Sequence, residues 1–431
     1  MSKLIKGLVT TSSLLLLAAC SNSETSSSEG TTNGDEVTLW VQFSQESAEG
    51  QVMEESIKEF NETNESGYTA KVEYIPRSGA GGGYEDKVNA ALTTNTLPDV
   101  LTLDGPNTAA YANSKIIQPI GEYISNQDDI LPTIMEQGTY NDELYAIGYS
   151  ESSVGIYYNE DMLTEAGVDI ETLPTVDEPW TWNEFLDMAE KLEGYYNEPV
   201  LDMGFDDHSE WLLYAFSPFV WSAGGDIIND EGTEAVGVFD SDETVSAFEF
   251  FQTLVEEGYS TVTPVKNGFQ TGEYALKMSG SWTMQELDTQ YTDVNYGIMP
   301  YPVSPETNEL ISPTGSWQYG MSSTTDNSDA AGELIDFLVT EQELYDMSMG
   351  NSVLPARRSV ADKMLQEVSN PMQVLIEQNS KSGKARPVLV NYPQISRTFQ
   401  ETVTESTYFD TNPDLKNLLK QKAQVIEGYL E

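Results

Sequence analysis

The stretch 144–159 constrains the fold more than any other part of the chain. Its two halves, Leu144-Tyr145-Ala146-Ile147 and Val154-Gly155-Ile156-Tyr157-Tyr158, are rich in aromatic and β-branched residues, as extended segments are. Between them lies a small polar centre, Ser150-Glu151-Ser152-Ser153, flanked by Gly148 and Gly155. A complete α/β pattern precedes this stretch and a second begins after it. It therefore reads as a strand that crosses from one lobe of a two-lobe protein to the other.

The first pattern opens as β-α-β. Val37-Thr38-Leu39-Trp40-Val41 alternates as a strand, and Val52, Met53, Ile57 and Phe60 recur at helical spacing. Residues 68–75 alternate again, with Ala70, Val72 and Tyr74 on one side. Parallel strands need such a crossover. The glycine-rich run 78–83 lacks the G-x-G-x-x-G spacing and has no Lys-Ser or Lys-Thr after it, so it reads as a flexible loop before a helix from Tyr84. Leu97-Pro98-Asp99-Val100-Leu101-Thr102-Leu103-Asp104 is a strand entered through Pro-Asp. Ligands of open α/β sheets sit at strand ends, which places Gln42, Phe43, Ser44 and Asp104 at a cleft. Asp104 reads equally well as a turn residue or a helix N-terminal acid.

Beyond the crossing, Thr181-x-x-Glu184 is a capping box, and Trp182, Phe185, Met188 and Leu192 form one helix stripe, which makes Trp182 a core residue. Helical spacing over 211–220 leads into Trp221-Ser222-Ala223-Gly224-Gly225. Asp240-x-x-Glu243 opens another helix, with Val245, Phe248 and Val255 inward; the glycine and later glutamate of a calcium loop are missing. A strand over 275–278 runs into Gly280-Ser281-Trp282, and Asn295-Tyr296-Gly297-Ile298-Met299-Pro300 reads as a return crossing. Ala331, Leu334, Ile335 and Leu338 mark a helix, and the tail from Asp414 is amphipathic through Leu415, Leu418, Leu419, Val425, Ile426 and Tyr429.

Four segments carry a resemblance: Tyr157-Tyr158-Asn159-Glu160-Asp161-Met162, the run from Phe269 through Gly280-Ser281-Trp282, Pro313-Thr314-Gly315-Ser316-Trp317, and Gly350-Asn351-Ser352-Val353-Leu354-Pro355-Ala356-Arg357-Arg358. Together they resemble the extracellular solute-binding proteins of ABC transporters, in the carbohydrate-binding family typified by maltose-binding protein. The resemblance implies an α/β, two-lobe periplasmic-binding-protein-like fold, each lobe a central sheet flanked by helices. It implies a hinge with several crossings, near residues 148–151 and 297–300. It assigns 36–147 and about 300–340 to an N-terminal lobe, and 148–299 and about 341–431 to a C-terminal lobe. It further implies no catalysis and no cofactor, a mono- or oligosaccharide as ligand, and the permease subunits of an ABC importer as partners.

The ends and the charge add to this reading. Lys3 and Lys6, a mostly apolar run over 8–17 and Leu17-Ala18-Ala19-Cys20 read as a signal peptide over 1–19, too short for a membrane span. Cys20, the single cysteine, stands where a bacterial lipobox places its lipidated residue. Two acyl chains there would hold the protein on the extracellular face of a cell membrane, with 20–35 as a disordered tether. A Gram-positive bacterial origin and a monomeric state are expected. The 71 acidic residues against 20 basic ones give a formal charge of −51, which repels nucleic acid and suits a surrounding of high salt or high pH.

Sugar binding needs flat aromatic faces and planar polar groups. The stacking candidates are Trp40, Trp221, Trp282 and Trp317, of which Trp40 reads most readily as core instead. In the resembled family the tryptophan at the place of Trp282 stacks on a sugar ring, with Gly280 letting the ligand approach. The polar candidates are Gln42, Ser44, Asp104, Glu151 and Arg357, the last reading equally as a surface ion pair. One histidine, His208, and one cysteine exclude a Cys-His site, a His-rich metal site and a c-type haem. Abundant carboxylates leave a secreted glycoside hydrolase as an alternative, since such an enzyme needs only two of them. A receptor for a non-sugar solute, such as a peptide or a metal chelate, is the other alternative.

Overall fold

A computed structural model describes residues 36–77, 83–408 and 414–430. The expected signal peptide, Cys20, its tether and residues 78–82 of the glycine-rich loop lie outside the described residues.

The first sheet grows from β1 (Glu36–Val41), β2 (Thr69–Tyr74), β3 (Val100–Asp104) and β4 (Ile117–Gln118). A separate small hairpin, β5 (Thr139–Tyr140) with β6 (Glu143–Leu144), leads to β7 (Ala146–Ser150). The second sheet takes β8 (Val154–Asn159), β9 (Leu201–Asp202), β10 (Leu276–Gly280) and β11 (Tyr296–Met299), in the order β11-β8-β10-β9. The chain then passes through β12 (Ser312–Thr314) and returns to the first sheet as β13 (Trp317–Ser322); later β14 (Gly383–Ala385) pairs with β12 in parallel. In the first sheet β1 lies parallel between β2 and β3, while β13 runs antiparallel to β3 on one edge and to β7 and β4 on the other.

Alternation along β1 explains why this sheet is covered on both faces. Val37, Leu39 and Val41 are fully buried with Met53, Ile57 and Phe60 of the helix Ala48–Thr63. Trp40, with Leu101 and Leu103 of β3, packs on Tyr84, Val88 and Ala91 of the helix Tyr84–Thr94. Each of the Val, Leu, Ile, Met and Phe side chains among these contributes about 1.5–3 kcal/mol by leaving water. The Pro-Asp entry to β3 has its own role: the Asp99 carboxylate accepts from the backbone N–H and hydroxyl of Thr38, both at 2.8 Å, tying β3 to β1.

A second buried cluster fills the other lobe. It contains the stripe Trp182, Phe185, Met188 and Leu192 from the helix Trp182–Tyr196, whose Thr181 and Glu184 form the expected reciprocal cap. Trp182 stacks on Phe250 at 4.9 Å. Two local expectations need correction. Residues 211–220 form two short helices, Trp211–Tyr214 and Ser217–Ser222, because Pro218 has no N–H to give to Tyr214 and its ring clashes there. The helix expected from Asp240 starts at Asp242, capped by the Ser241 side chain.

Residues 151–153 connect the end of β7 in one sheet to the start of β8 in the other, and residues 300–316 connect β11 back to β13. Glu151 and Leu354 pair as an isolated antiparallel bridge, so a third segment joins these two. The span 341–431 does not stay with one lobe. The helix Glu341–Asn351 packs on Ala48–Thr63, whereas Tyr392–Thr407 and Leu415–Leu430 pack on Asp242–Glu256. The expected grouping of that span with the C-terminal lobe is corrected accordingly, because apolar periodicity marks a buried helix face without marking which sheet it faces. Among the described residues no helix is long and apolar enough to cross a membrane.

Candidate functional site

The strand ends and the crossings meet around a cavity of about 330 Å³. Asp104 closes β3 and lies in register opposite Trp317, the first residue of β13. Ser152 and Gly315 come from the two crossings, Trp211 and Tyr214 from the first short helix, and Trp282 from the residue after β10 and its Ser281. Arg77, Asp207, Ser209, Glu210 and Arg386 complete the lining. Trp282 is 44% exposed and meets Trp211 edge-on, at 6.2 Å and 79°. The Arg77 guanidinium lies over the Trp317 ring at 5.1 Å.

The wall is held by one ion cluster. Arg386 grips Asp104 with both terminal nitrogens, at 3.0 and 2.7 Å, and reaches Glu210 at 2.7 Å. Asp104 belongs to the first sheet and Glu210 leads into the second lobe's helices, so this arginine spans the cleft. Glu210 also accepts from the hydroxyls of Tyr392 and Ser396. Burial works against the charge of Arg386, which is only 3% exposed, but Asp104, Tyr392 and Glu210 more than offset it and hold its pKa above the usual range. The guanidinium also lies over the Tyr214 ring at 5.0 Å.

Two further cavities adjoin. One of about 790 Å³ shares Asp207, Trp211 and Trp282 with the central cavity and continues over Asp202, Lys277, Ser279 and Asn267. The other, of about 440 Å³, shares Arg77, Asp104, Ser209 and Glu210 and extends towards Asn107 and Tyr111. Trp282 thus stands between two spaces and borders both.

Of the residues singled out in the sequence, the structure brings Asp104, Trp282 and Trp317 together. Asp104 lies at the cleft and also precedes the short 3-10 turn Gly105–Asn107, but its side chain caps nothing there and is taken up by Arg386. Gln42 is buried in a chain of hydrogen bonds, accepting from Thr102 at 2.6 Å and donating to the Tyr149 hydroxyl at 2.8 Å. Trp40 is core, with Lys87 over its ring. The Ser44 carbonyl accepts from Ser47 at the start of a helix. Trp221 is buried beside a different cavity, its indole N–H donating to Asp226. Arg357 is 2% exposed and donates to the carbonyls of Val339, Asn126 and Ser125, so it is a buried tie and not a surface pair. Glu151 is fully buried and outside the lining. Gly280 also differs from expectation: a Cβ there would lie 2.1–2.5 Å from the Trp282 ring, so the glycine makes room for that ring and not for a ligand. His208 is exposed.

Sequence reading missed Arg77, Glu210, Trp211, Tyr214 and Arg386. A signal existed for Arg386: it is one of only 20 cationic side chains beside 71 acids, and it stands between an alanine and a proline.

The curated relatives include the sn-glycerol-3-phosphate-binding periplasmic protein UgpB of Shigella dysenteriae and that of Escherichia coli strain K12, each 23% identical, with 74% of this chain and 74% of the relative covered. A solved cyclic α-maltosyl-1,6-maltose binding protein from Arthrobacter globiformis shares the fold with a TM-score of 0.80 at 20% identity, covering 92% of this chain and 98% of that one. UgpB from Mycobacterium tuberculosis, solved with glycerophosphocholine, does so at 0.75 and 18%, covering 92% and 98%. These neighbours are two-lobe binding proteins, which is the fold seen here. Residues 55–374 match the bacterial extracellular solute-binding protein family, and the chain belongs to that family.

Proposed function

We propose that the protein captures a carbohydrate between its lobes and hands it to an ABC importer, without chemistry of its own. The observation that supports this most is the wall of Trp211, Trp282 and Trp317 beside the carboxylates of Asp104 and Glu210. Indole faces take the C–H surfaces of sugar rings, and carboxylates accept paired hydroxyls. The adjoining cavities favour an oligosaccharide, since Trp282 offers ring surface to two neighbouring spaces. Closure is driven by contacts that only the closed form makes with both lobes. Before this step, the signal is removed and Cys20 is lipidated, which keeps the protein at the outer face of the cell membrane.

A phosphorylated polyol is the second reading, because two arginines line the central cavity. Charge argues against it. Arg386 is already engaged by Asp104 and Glu210, and the two guanidinium groups face three carboxylates there, so a neutral ligand suits the site better. A thermal-shift screen across mono- and oligosaccharides, sn-glycerol 3-phosphate and glycerophosphocholine tests both readings, since a bound ligand adds RT ln(1 + [L]/Kd) of stability. Stabilisation by sugars alone supports the carbohydrate reading. Stabilisation by the phosphate compounds alone refutes it.

A further inference from the structure

Glu151 is a polar group outside the cavity lining, yet it touches both crossings and the third segment. Its carboxylate is enclosed, with no exposed surface. One oxygen accepts from the backbone N–H of Ser152 at 2.9 Å and from that of Gly315 at 2.6 Å; the other accepts from the Thr133 hydroxyl at 3.2 Å. Its backbone exchanges both hydrogen bonds with Leu354, at 2.7 and 2.9 Å. The first crossing, the return crossing and the helix Pro132–Gly138 therefore converge on one carboxylate, and the third segment on the same residue's backbone.

Ser152 and Gly315 both line the central cavity. Ser152 is further tied to the Gly315 carbonyl at 2.8 Å and to the Tyr214 hydroxyl at 2.7 Å. The fit at Gly315 is tight, since a Cβ there would come within 2.8 Å of the Tyr214 ring and 3.0 Å of the Ser152 hydroxyl. A shift of either backbone segment thus moves the cavity wall.

We propose that Glu151 is a positioning residue for the binding site: without touching ligand, its carboxylate pins the Ser152 and Gly315 amides and so fixes the wall where the two crossings meet.

The pin is sensitive to protonation. As a carboxylate it makes charge-assisted bonds, roughly twice as strong as neutral ones; as an acid, the oxygen that serves both amides becomes a weaker carbonyl acceptor. Burial raises its pKa to about 7, against the bonds from Ser152, Gly315 and Thr133 and the charge of Arg386. The charged and titratable groups on the elements around it are Arg386 with Asp104 and Glu210, Tyr214 through Ser152, Glu136 on the helix Pro132–Gly138, and Arg357 with Asp129 beyond Leu354. Of these, Glu136 is also raised by burial, and it is the competing source of a pH effect.

The test reads the amide itself. In ¹⁵N-glycine-labelled protein, the Gly315 amide proton should titrate between pH 5.5 and 8.5 with a midpoint near 7. The isosteric Glu151→Gln should abolish that titration, while Glu136→Gln and His208→Gln should keep it. A flat Gly315 profile in the unmodified protein overturns the proposal, and so does a titration that survives in Glu151→Gln or disappears in Glu136→Gln. Calorimetry with maltotriose gives the consequence for binding, and this arm rests on the carbohydrate reading. Affinity should weaken roughly threefold to tenfold from pH 8.5 to 5.5 and be flat in Glu151→Gln. A protein that binds no sugar but shows the Gly315 titration counts against the carbohydrate reading alone.

Discussion

Trp282→Ala separates a ligand platform from a core residue in one pair of measurements. An enclosed tryptophan removes about 150–250 Å² from water. Trp282 is 44% exposed, so roughly half of that, about 100 Å², is at stake on folding. At about 25 cal/mol per Å² the folding cost is about 2.5 kcal/mol, and the compactness of real unfolded chains lowers it. A tryptophan in a packed core costs about 3–5 kcal/mol on truncation. The proposed role gives the opposite balance for binding: loss of an aromatic hot spot worth about 2 kcal/mol weakens sugar affinity at least tenfold. Trp182→Ala is the matched control, since Trp182 is 4% exposed and stacked on Phe250. It should lower the ligand-free thermal midpoint strongly and leave affinity intact in whatever fraction folds. The assay is the thermal midpoint without ligand and the calorimetric affinity for the best sugar of the screen, on both variants. Trp282→Ala with unchanged affinity would refute the reasoning and leave Trp317 as the better stacking candidate.

The remaining expectations concern charge and the anchor. Arg386→Gln leaves Asp104 and Glu210 without their cation; breaking a buried pair costs about 3–5 kcal/mol, and the partial exposure of both carboxylates puts this case near about 2–3 kcal/mol, measured by denaturant unfolding. For Glu151→Gln the sign follows from linkage: a carboxyl whose folded pKa is raised contributes stability that is full below its unfolded value, about 4.5, and is lost as pH rises through about 7. The variant has no such loss, so its stability relative to wild type should rise by up to about 3 kcal/mol between pH 4.5 and 8; a constant difference across that window counts against the buried charge. Cys20→Ser should release the protein from the membrane fraction of its host, and a variant that stays with membranes after signal cleavage ends the lipidation reading.

What the sequence disclosed and what it hid follow from range. Trp182 was legible as core because a capping box and a stripe at helical spacing lie within a dozen residues of it. The first crossing was legible because β7 and β8 are consecutive extended runs around a polar centre. Glu151 was legible as special but not as buried: a carboxylate in a polar break reads the same whether it faces a ligand or backbone amides, and one of those amides comes from Gly315, 164 residues away. Gly280 misled for the same kind of reason. A glycine beside a cleft leaves space, and only the rotamer of Trp282 decides what fills it.

The ion cluster shows the limit most clearly, because composition and contact act at different distances. A charge of −51 spread along the chain is a statement about long-range repulsion, which falls away beyond a Debye length of about 8–10 Å at ordinary ionic strength. Arg386 acts at 2.7–3.0 Å from partners 282 and 176 residues away, where salt screens little. The first property can be counted from the sequence. The second depends on β3, β14 and the helices near Glu210 arriving at one place, which is a property of the fold. A chain so acidic has few cations with which to hold two lobes in register, and it places one of them, gripped by two carboxylates through its terminal nitrogens, where Asp104 of the first sheet meets Glu210 of the second lobe. Salt can therefore ease the general repulsion between lobes while leaving that pairing, and the shape of the cleft it sets, largely untouched.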